Sequence, residues 1–208
     1  MDIYHDLREE IVTGALPADA ALTELSLAAQ YKVSRTPVRE ALRRLEQDGL
    51  VQRGPRGMQV RGRSPEEILE IYEVRITLEG AAARAAAERR TELDLLKLEQ
   101  VHAMMVAASK DDPDRLVTAN RTFHETVWVM SHNGTLVDLL GRLHAHLIRY
   151  RETTLTYPNR WEKVLKEHQQ LIKAIKAGDR EAAGRIAEEH MTAARNVRLA
   201  MYAAVDAH

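Results

Sequence analysis

The sequence predicts a mainly α protein in two parts: an N-terminal unit of three helices and a β-hairpin, then an all-helical bundle. Three observations predict it. Apolar residues recur at helical spacing along most of the 208-residue chain. The period shortens to two only between residues 50 and 61, on either side of Gly54-Pro55-Arg56-Gly57. Ser64-Pro65-Glu66-Glu67 then joins a capping residue, a proline suited to the first helical position and an acidic first turn, so a new helical series starts there. The domains are accordingly residues 1–63 and 64–208.

The first helix is expected over residues 2–13, where Ile3, Leu7, Ile11 and Val12 share a face before Gly14 and Pro17 stop it. A second starts at Thr23 and carries Leu25, Leu27, Ala28 and Ala29 as far as Tyr31, and Lys32-Val33 forms a brief turn. The third is capped either by Ser34 or by Thr36, the latter placing Pro37 first in the helix, where its missing N–H is harmless. Val38, Ala41, Leu42 and Leu45 form its inward stripe, and Gly49 ends it. With the hairpin, these elements make a winged helix-turn-helix. Beyond residue 64 the helices are expected over 65–89, 92–110, 113–131, 135–154, 161–177 and 180–204. Thr91, Asp112-Pro113 and Asp179 supply caps, while Asn133-Gly134, Pro158 and Gly178 terminate.

No cysteine occurs, which excludes disulfides and thiolate ligands and agrees with a reducing compartment, so a cytoplasmic location is expected. The N-terminus lacks the apolar core of a signal peptide, and no apolar run approaches the ~20 residues a bilayer requires, so no membrane partner is expected. The net charge of −1 conceals an uneven distribution. Residues 32–63 carry nine Lys or Arg against three acids, a local +6, whereas residues 64–208 sum to −2. Only the N-terminal third suits a polyanion.

Arg35, Arg39 and Arg43 stand at i, i+4 and i+8, on a helix face opposite Val38, Leu42 and Leu45. An isolated arginine triplet is more often merely solvated. Here it occupies the second helix of a helix-turn-helix with a basic hairpin behind it, which points to double-stranded operator DNA. An arginine fork can donate two hydrogen bonds to guanine O6 and N7 or clamp a phosphate. Ser34 and Thr36 can reach phosphate near the helix N-terminus, and Arg53, Arg56 and Arg61 place the wing on the backbone or minor groove.

These residues, Val33-Ser34-Arg35-Thr36-Pro37-Val38-Arg39-Glu40-Ala41-Leu42 with Leu45, Gly49-Leu50-Val51 and Gly57, resemble the GntR family's winged-helix domain. The helical remainder resembles the FadR-type ligand-sensing domain called FCD. The resemblance implies that Arg35 and Arg39 contact operator DNA and that the protein binds as a homodimer. It further implies a regulator, usually a repressor, in which effector binding moves one DNA-binding domain relative to the other. Two departures stand out: Pro17-Ala18 replaces the family's usual Pro-Gly, and Leu25 stands where some members carry a basic residue.

In the helical part, Asn120 and His124 are spaced i, i+4 and project together. A lone histidine on an amphipathic helix is more often a packed residue. Geometry adds two more: His168 lies ten residues before Gly178 and His190 eleven after Asp179, so in an antiparallel hairpin both sit ~15 Å from the turn. Three imidazoles and one amide oxygen suit a divalent metal ion, Zn²⁺ or Ni²⁺ above others, with positions left for water or ligand. The resemblance assigns the same four residues, with Asn120 in place of the commoner Asp. It also implies a small organic acid as effector, with Arg75 facing the cavity and Arg149 a weaker candidate; the alternative for Arg75 is a surface pair with Glu79. His102, His132, His144 and His146 match no ligand position, although His144 or His146 can reach the cavity. Two other readings stand beside sensing: a three-His metalloenzyme carrying a DNA-binding domain, and a purely structural metal. The first lacks a recognisable general base, because Glu167 and Glu189 are expected to face away from the histidines beside them.

Overall fold

The computed structural model describes residues 2–55, 57–108, 112–148 and 153–205, with the backbone alone for Ile148 and Val205. They divide into two compact units, one of the described residues up to 64 with 144–148, the other of those from 65 to 143 with 153–205.

The first unit contains α1 (Ile3–Val12), β1 (Ala21–Leu22), α2 (Glu24–Tyr31), α3 (Arg35–Gln47), β2 (Val51–Gly54) and β3 (Gly57–Val60). Asp2 caps α1 by accepting from the Tyr4 and His5 amides, and Thr23 caps α2 by accepting from the Ser26 amide. Lys32, in the left-handed region at φ 55°, ends α2 and turns the chain into α3. Ser34 holds the N-cap position of α3 without a side-chain cap bond, so Thr36 lies inside the helix and Pro37 third, still where no intrahelical N–H is needed. Leu7, Ile11, Val38, Leu42, Leu45, Leu50 and Val60 close the core. The sheet has order β1-β3-β2, antiparallel throughout, with Val51 opposite Val60 and Leu22 opposite Met58. Strand β1 escapes the sequence reading, since two residues are too few to show an alternation. Arg56, expected on the wing, falls outside the described residues.

The second unit is helical: α4 (Pro65–Arg89), α5 (Glu92–Val106), α6 (Pro113–Met130), residues 134–143 of α7 (Gly134–Ile148), a 3₁₀ turn (Thr154–Thr156), α8 (Arg160–Ala177) and α9 (Arg180–Val205). A capping box at Thr91 and Asp94 starts α5, and Asp112 with Pro113 starts α6. Helix α5 stops at Val106, short of the expected residue 110, with Ala107 as its cap. Helix α7 is described as far as Ile148, and Thr154, the expected last residue of that helix, begins a 3₁₀ turn instead. The Thr153 hydroxyl accepts from the Leu155 amide and caps this turn. Phe123, Leu98, Met105, Ile175, Trp161 and Ala183 form the core. Gly80 and Gly184 let α4 and α9 approach, with the Arg84–Glu188 ion pair at 2.8 Å lying across both. Gly178 ends α8 at φ +74° and reverses the chain into α9. No helix among the described residues is long and apolar enough to cross a membrane.

Candidate functional site

Two constellations carry chemistry, one in each unit. In the helical unit α6 supplies His124, α8 supplies His168 and α9 supplies His190, each buried, with ligand atoms all within 4.8 Å of one another. The equal distances of His168 and His190 from the Gly178 turn bring them level, as the spacing predicts. Asn120 sits one turn before His124 on the same face of α6. Its Oδ1 is buried and has no hydrogen-bond partner among the described residues.

Two carboxylates stand behind the imidazoles. Glu167 Oε2 lies 2.6 Å from His190 Nδ1, while its Oε1 accepts from Arg160 Nη1 at 2.7 Å. Glu79 Oε2 lies 3.5 Å from His124 Nδ1 and accepts from Trp128 Nε1 at 2.7 Å, and Arg75 donates to Glu79 Oε1. These are two parallel relays, Arg160–Glu167–His190 and Arg75–Glu79–His124. With the proton on Nδ1, facing the carboxylate, each ring leaves Nε2 bare, the tautomer that metal-ligating histidines adopt. The two Nε2 atoms face each other at 3.3 Å. Two lone pairs so placed repel unless a cation lies between them, and two ~2.0–2.1 Å bonds to one tetrahedral ion would give about this separation. His168, 1% exposed, stacks on Phe123 at 3.8 Å and 6°, and neither of its ring nitrogens has a hydrogen-bond partner among the described residues. A buried imidazole with both nitrogens unmatched is costly and fits a metal ligand.

The electrostatics agree with a cation site. Burial, reinforced by the neighbouring imidazoles, pushes His168 well below its ordinary pKa. Burial also lowers His190, against the opposing pull of Glu167, to about 4. Both are neutral at pH 7 and keep their lone pairs. Burial raises Glu79, yet His124 and Arg75 hold it well below the usual carboxylate range. Glu167 is likewise held low against burial by His190 and Arg160.

Glu167 therefore corrects the expectation that it faces away, because Arg160, near the start of α8, pulls its carboxylate inward beside α9. Glu189 does face away, exposed and paired with Arg185. Arg75 pairs with Glu79 as one alternative held, although inside the bundle rather than on a surface. Sequence reasoning missed both carboxylates as histidine partners. A signal existed: Ile68, Tyr72, Arg75, Glu79, Ala82 and Ala86 form one inward stripe of α4, so its two charged members had to be buried. His102 Nε2 donates to the Leu165 carbonyl at 3.2 Å, and His132 pairs with Asp94 at 3.0 Å, both in structural roles. Arg149 lies outside the described residues.

In the first unit Arg35, Arg39 and Arg43 line the outer face of α3, all three more than half exposed. One carboxylate gathers two of them. Arg39 donates from Nε to Glu24 Oε1 and from Nη2 to Glu24 Oε2, each at 2.8 Å, and Arg35 reaches Oε2 from Nη2 at 3.2 Å and Nε at 3.3 Å. Arg43 stands 3.5 Å from Glu40, and Arg53 on the wing 3.8 Å from Glu46. These side chains with Leu22, Leu25, Gly57 and Met58 line a groove between α3 and the wing. Ser34 and Thr36 are exposed at the helix start.

Residues 1–58 match the family of bacterial regulatory proteins called gntR, and residues 70–193 match the FCD domain. The chain belongs to the GntR family. Among its relatives is the HTH-type transcriptional regulator YdhC of Bacillus subtilis, 31% identical over 88% of this chain and 83% of that protein. The HTH-type transcriptional repressor RspR of Escherichia coli is 29% identical over 91% and 84%. The structure of McbR/YncC from E. coli superposes with a TM-score of 0.79 at 26% identity, covering 96% of each chain. The protein is thus a transcriptional regulator of the GntR/FCD type, a class that includes named repressors. The families and relatives it matches are regulators and not enzymes. Its GntR part indicates DNA as partner, and its FCD part a small-molecule effector.

Proposed function

We propose that the protein is a repressor that binds operator DNA as a homodimer and whose affinity is set by a small organic acid bound at a divalent metal ion in the helical unit. The domains are residues 1–63 and 64–208. The observation that carries the sensing half is the convergence of imidazole nitrogens from His124, His168 and His190, two of them backed by carboxylates, Glu79 buried and Glu167 half-buried.

Asn120, His124, His168 and His190 are the proposed ligands of Zn²⁺ or Ni²⁺. Three ligating imidazoles and an amide bring no charge of their own, and Glu79 and Glu167 are each already matched by an arginine. The charge of a divalent ion there is uncompensated in a buried setting, so its open positions favour an anion, and a carboxylate ligates such ions readily. A relative from B. subtilis, 28% identical over 86% of this chain, is named the gluconate operon transcriptional repressor, and gluconate is a carboxylate. Arg75 braces the site through Glu79; Arg149 remains a candidate for the effector's far end.

On the DNA side, Arg35 and Arg39 are the proposed base readers. Ser34, Thr36, Arg43, Arg53 and Arg56 are the proposed phosphate anchors. Effector and operator are coupled when each binds one state of the dimer better.

Metal analysis and small-molecule mass spectrometry of the purified protein test the sensing half. A bound divalent ion together with a carboxylic acid is expected. In the His168→Ala protein, a lost effector response with the fold intact supports sensing, whereas a lost fold would make the ion a structural brace. For the DNA half, Arg39→Ala is expected to abolish the operator-specific gel shift and leave the dimer intact; an unchanged sequence preference would sink the assignment.

A further inference from the structure

Glu24 is an acid in the middle of the surface that should attract a polyanion. It stands at the first position of α2, capped by Thr23, and its carboxylate points at α3 rather than away from it. There it takes the Nε–Nη2 edge of Arg39 as a two-point fork and the same edge of Arg35 on one oxygen. These two pairs hold Glu24 well below its ordinary pKa, at about 2, so it is ionised under every condition in which DNA binds.

Two consequences follow from chemistry alone. A guanidinium has five N–H donors in a planar fork. With the Nε–Nη2 edge fixed on Glu24, the Nη1 end of each arginine is the one presented outward. That leaves an end-on approach to guanine O6 and N7 and orients both forks relative to one another before DNA arrives. The second consequence is electrostatic. A carboxylate between two arginines removes one unit of positive charge from the groove and stands close to where a phosphate would settle, so it weakens attraction to backbone of any sequence.

We propose that Glu24 is a specificity-determining residue, a positioning carboxylate that aims Arg35 and Arg39 at base edges and at the same time lowers affinity for DNA in general. The proposal rests on Arg35 and Arg39 being the base readers. Glu24 itself touches no base. It acts through the arginines, by order and by charge, and it widens the gap between operator and bulk DNA from both sides.

The experiment compares the full-length wild type with Glu24→Gln, Glu24→Asp and Arg39→Ala. Duplexes are first selected from a random pool by the wild type. Affinity for the selected duplex and for a scrambled one is then measured by fluorescence anisotropy across a salt series. Glu24→Gln keeps the shape and removes the charge. It is expected to bind scrambled DNA several-fold more tightly, with a salt slope steeper by about one. The ratio of selected to scrambled affinity should fall about ten-fold. Glu24→Asp, which keeps the charge on a shorter arm, should restore the scrambled-DNA affinity but only part of the ratio. An unchanged ratio in Glu24→Gln, with the same melting temperature as wild type, overturns the proposal. If Arg39→Ala also keeps the wild-type ratio, it is the reader assignment that has failed, and the two failures are told apart.

Discussion

The arginine face of α3 and the histidine cluster of the bundle are built from the same charged residues in opposite order. On α3 an acid stands behind and arginine stands in front: Glu24, then Arg35 and Arg39, then solvent. In the bundle arginine stands behind, an acid in the middle and imidazole in front: Arg75–Glu79–His124 and Arg160–Glu167–His190. On the proposed reading, the group in front sets what is recognised, an anion in the first case and a cation in the second. The group behind fixes its orientation and protonation. Burial separates the two further. The α3 pairs are exposed and exchange readily with salt and phosphate, whereas Arg75 with Glu79 is buried and Arg160 is buried against a half-buried Glu167, so breaking either relay strands a buried charge.

The hardest test of this comparison removes a front group from the buried side. His168→Ala is expected to lower Zn²⁺ affinity by more than about a hundred-fold, since even outer partners are worth roughly 10–100-fold. Competition with a chromophoric chelator measures it, and an affinity equal to wild type would end the metal reading. The middle group comes next. Glu167→Gln keeps the volume but loses the charge that holds the His190 tautomer, so Zn²⁺ affinity should fall by about 10–100-fold with little change in secondary structure by circular dichroism. The same change behind the arginine face should leave metal binding untouched, which is the contrast to look for in Glu24→Gln.

A third difference is pH. In the metal-free protein His168 and His190 have folded-state pKa values below the ordinary 6.5, His190 at about 4. Between those limits the unfolded chain binds more protons than the folded one. Stability is therefore full above pH ~6.5 and falls as pH drops toward 4, with a limiting slope of about 1.4 kcal/mol per pH unit for each histidine. Urea unfolding at pH 7 and pH 5 shows it, and saturating Zn²⁺ should raise stability at both pH values without shrinking the difference, because the folded rings are already neutral and the ion only keeps them so. No such slope is expected from the α3 face. The smallest effect expected is that of Arg53→Ala on the wing. It should weaken binding to all duplexes alike and reduce the salt slope by about one, with sequence preference unchanged.

The two regions were not equally legible in the sequence. The α3 face could be read whole, because Arg35, Arg39 and Arg43 belong to one helix and a fixed period puts them on one side. Glu24 could not, since it comes from α2 and meets them only through the tertiary packing of the helix-turn-helix. The histidines lie between these extremes. His168 and His190 straddle one turn, so counting residues from Gly178 places them level, whereas His124 on α6 joined them by its pairing with Asn120 and its donor chemistry, and no count of residues places α6 beside that hairpin. Their carboxylate partners were legible only as anomalies, a charged pair on the apolar stripe of α4 and an acid next to a ligand. Whether an adjacent side chain turns in or out depends on Arg160, seven residues away, and no local period reports that.

The reversal at Gly178 carries a consequence for how such proteins diverge. The turn lies two to three helical turns from the histidines and near the surface, a place where an added or lost residue leaves both helices intact. One residue inserted within α9, between this turn and His190, would instead carry His190 ~1.5 Å along and ~100° around the helix, off the level of His168. A lineage can therefore silence the proposed ion site by a single insertion or deletion between the turn and His190, with every proposed ligand still present in the sequence. In comparing paralogues, the spacing from Gly178 to His190 says as much about the proposed metal dependence as the four ligand positions do.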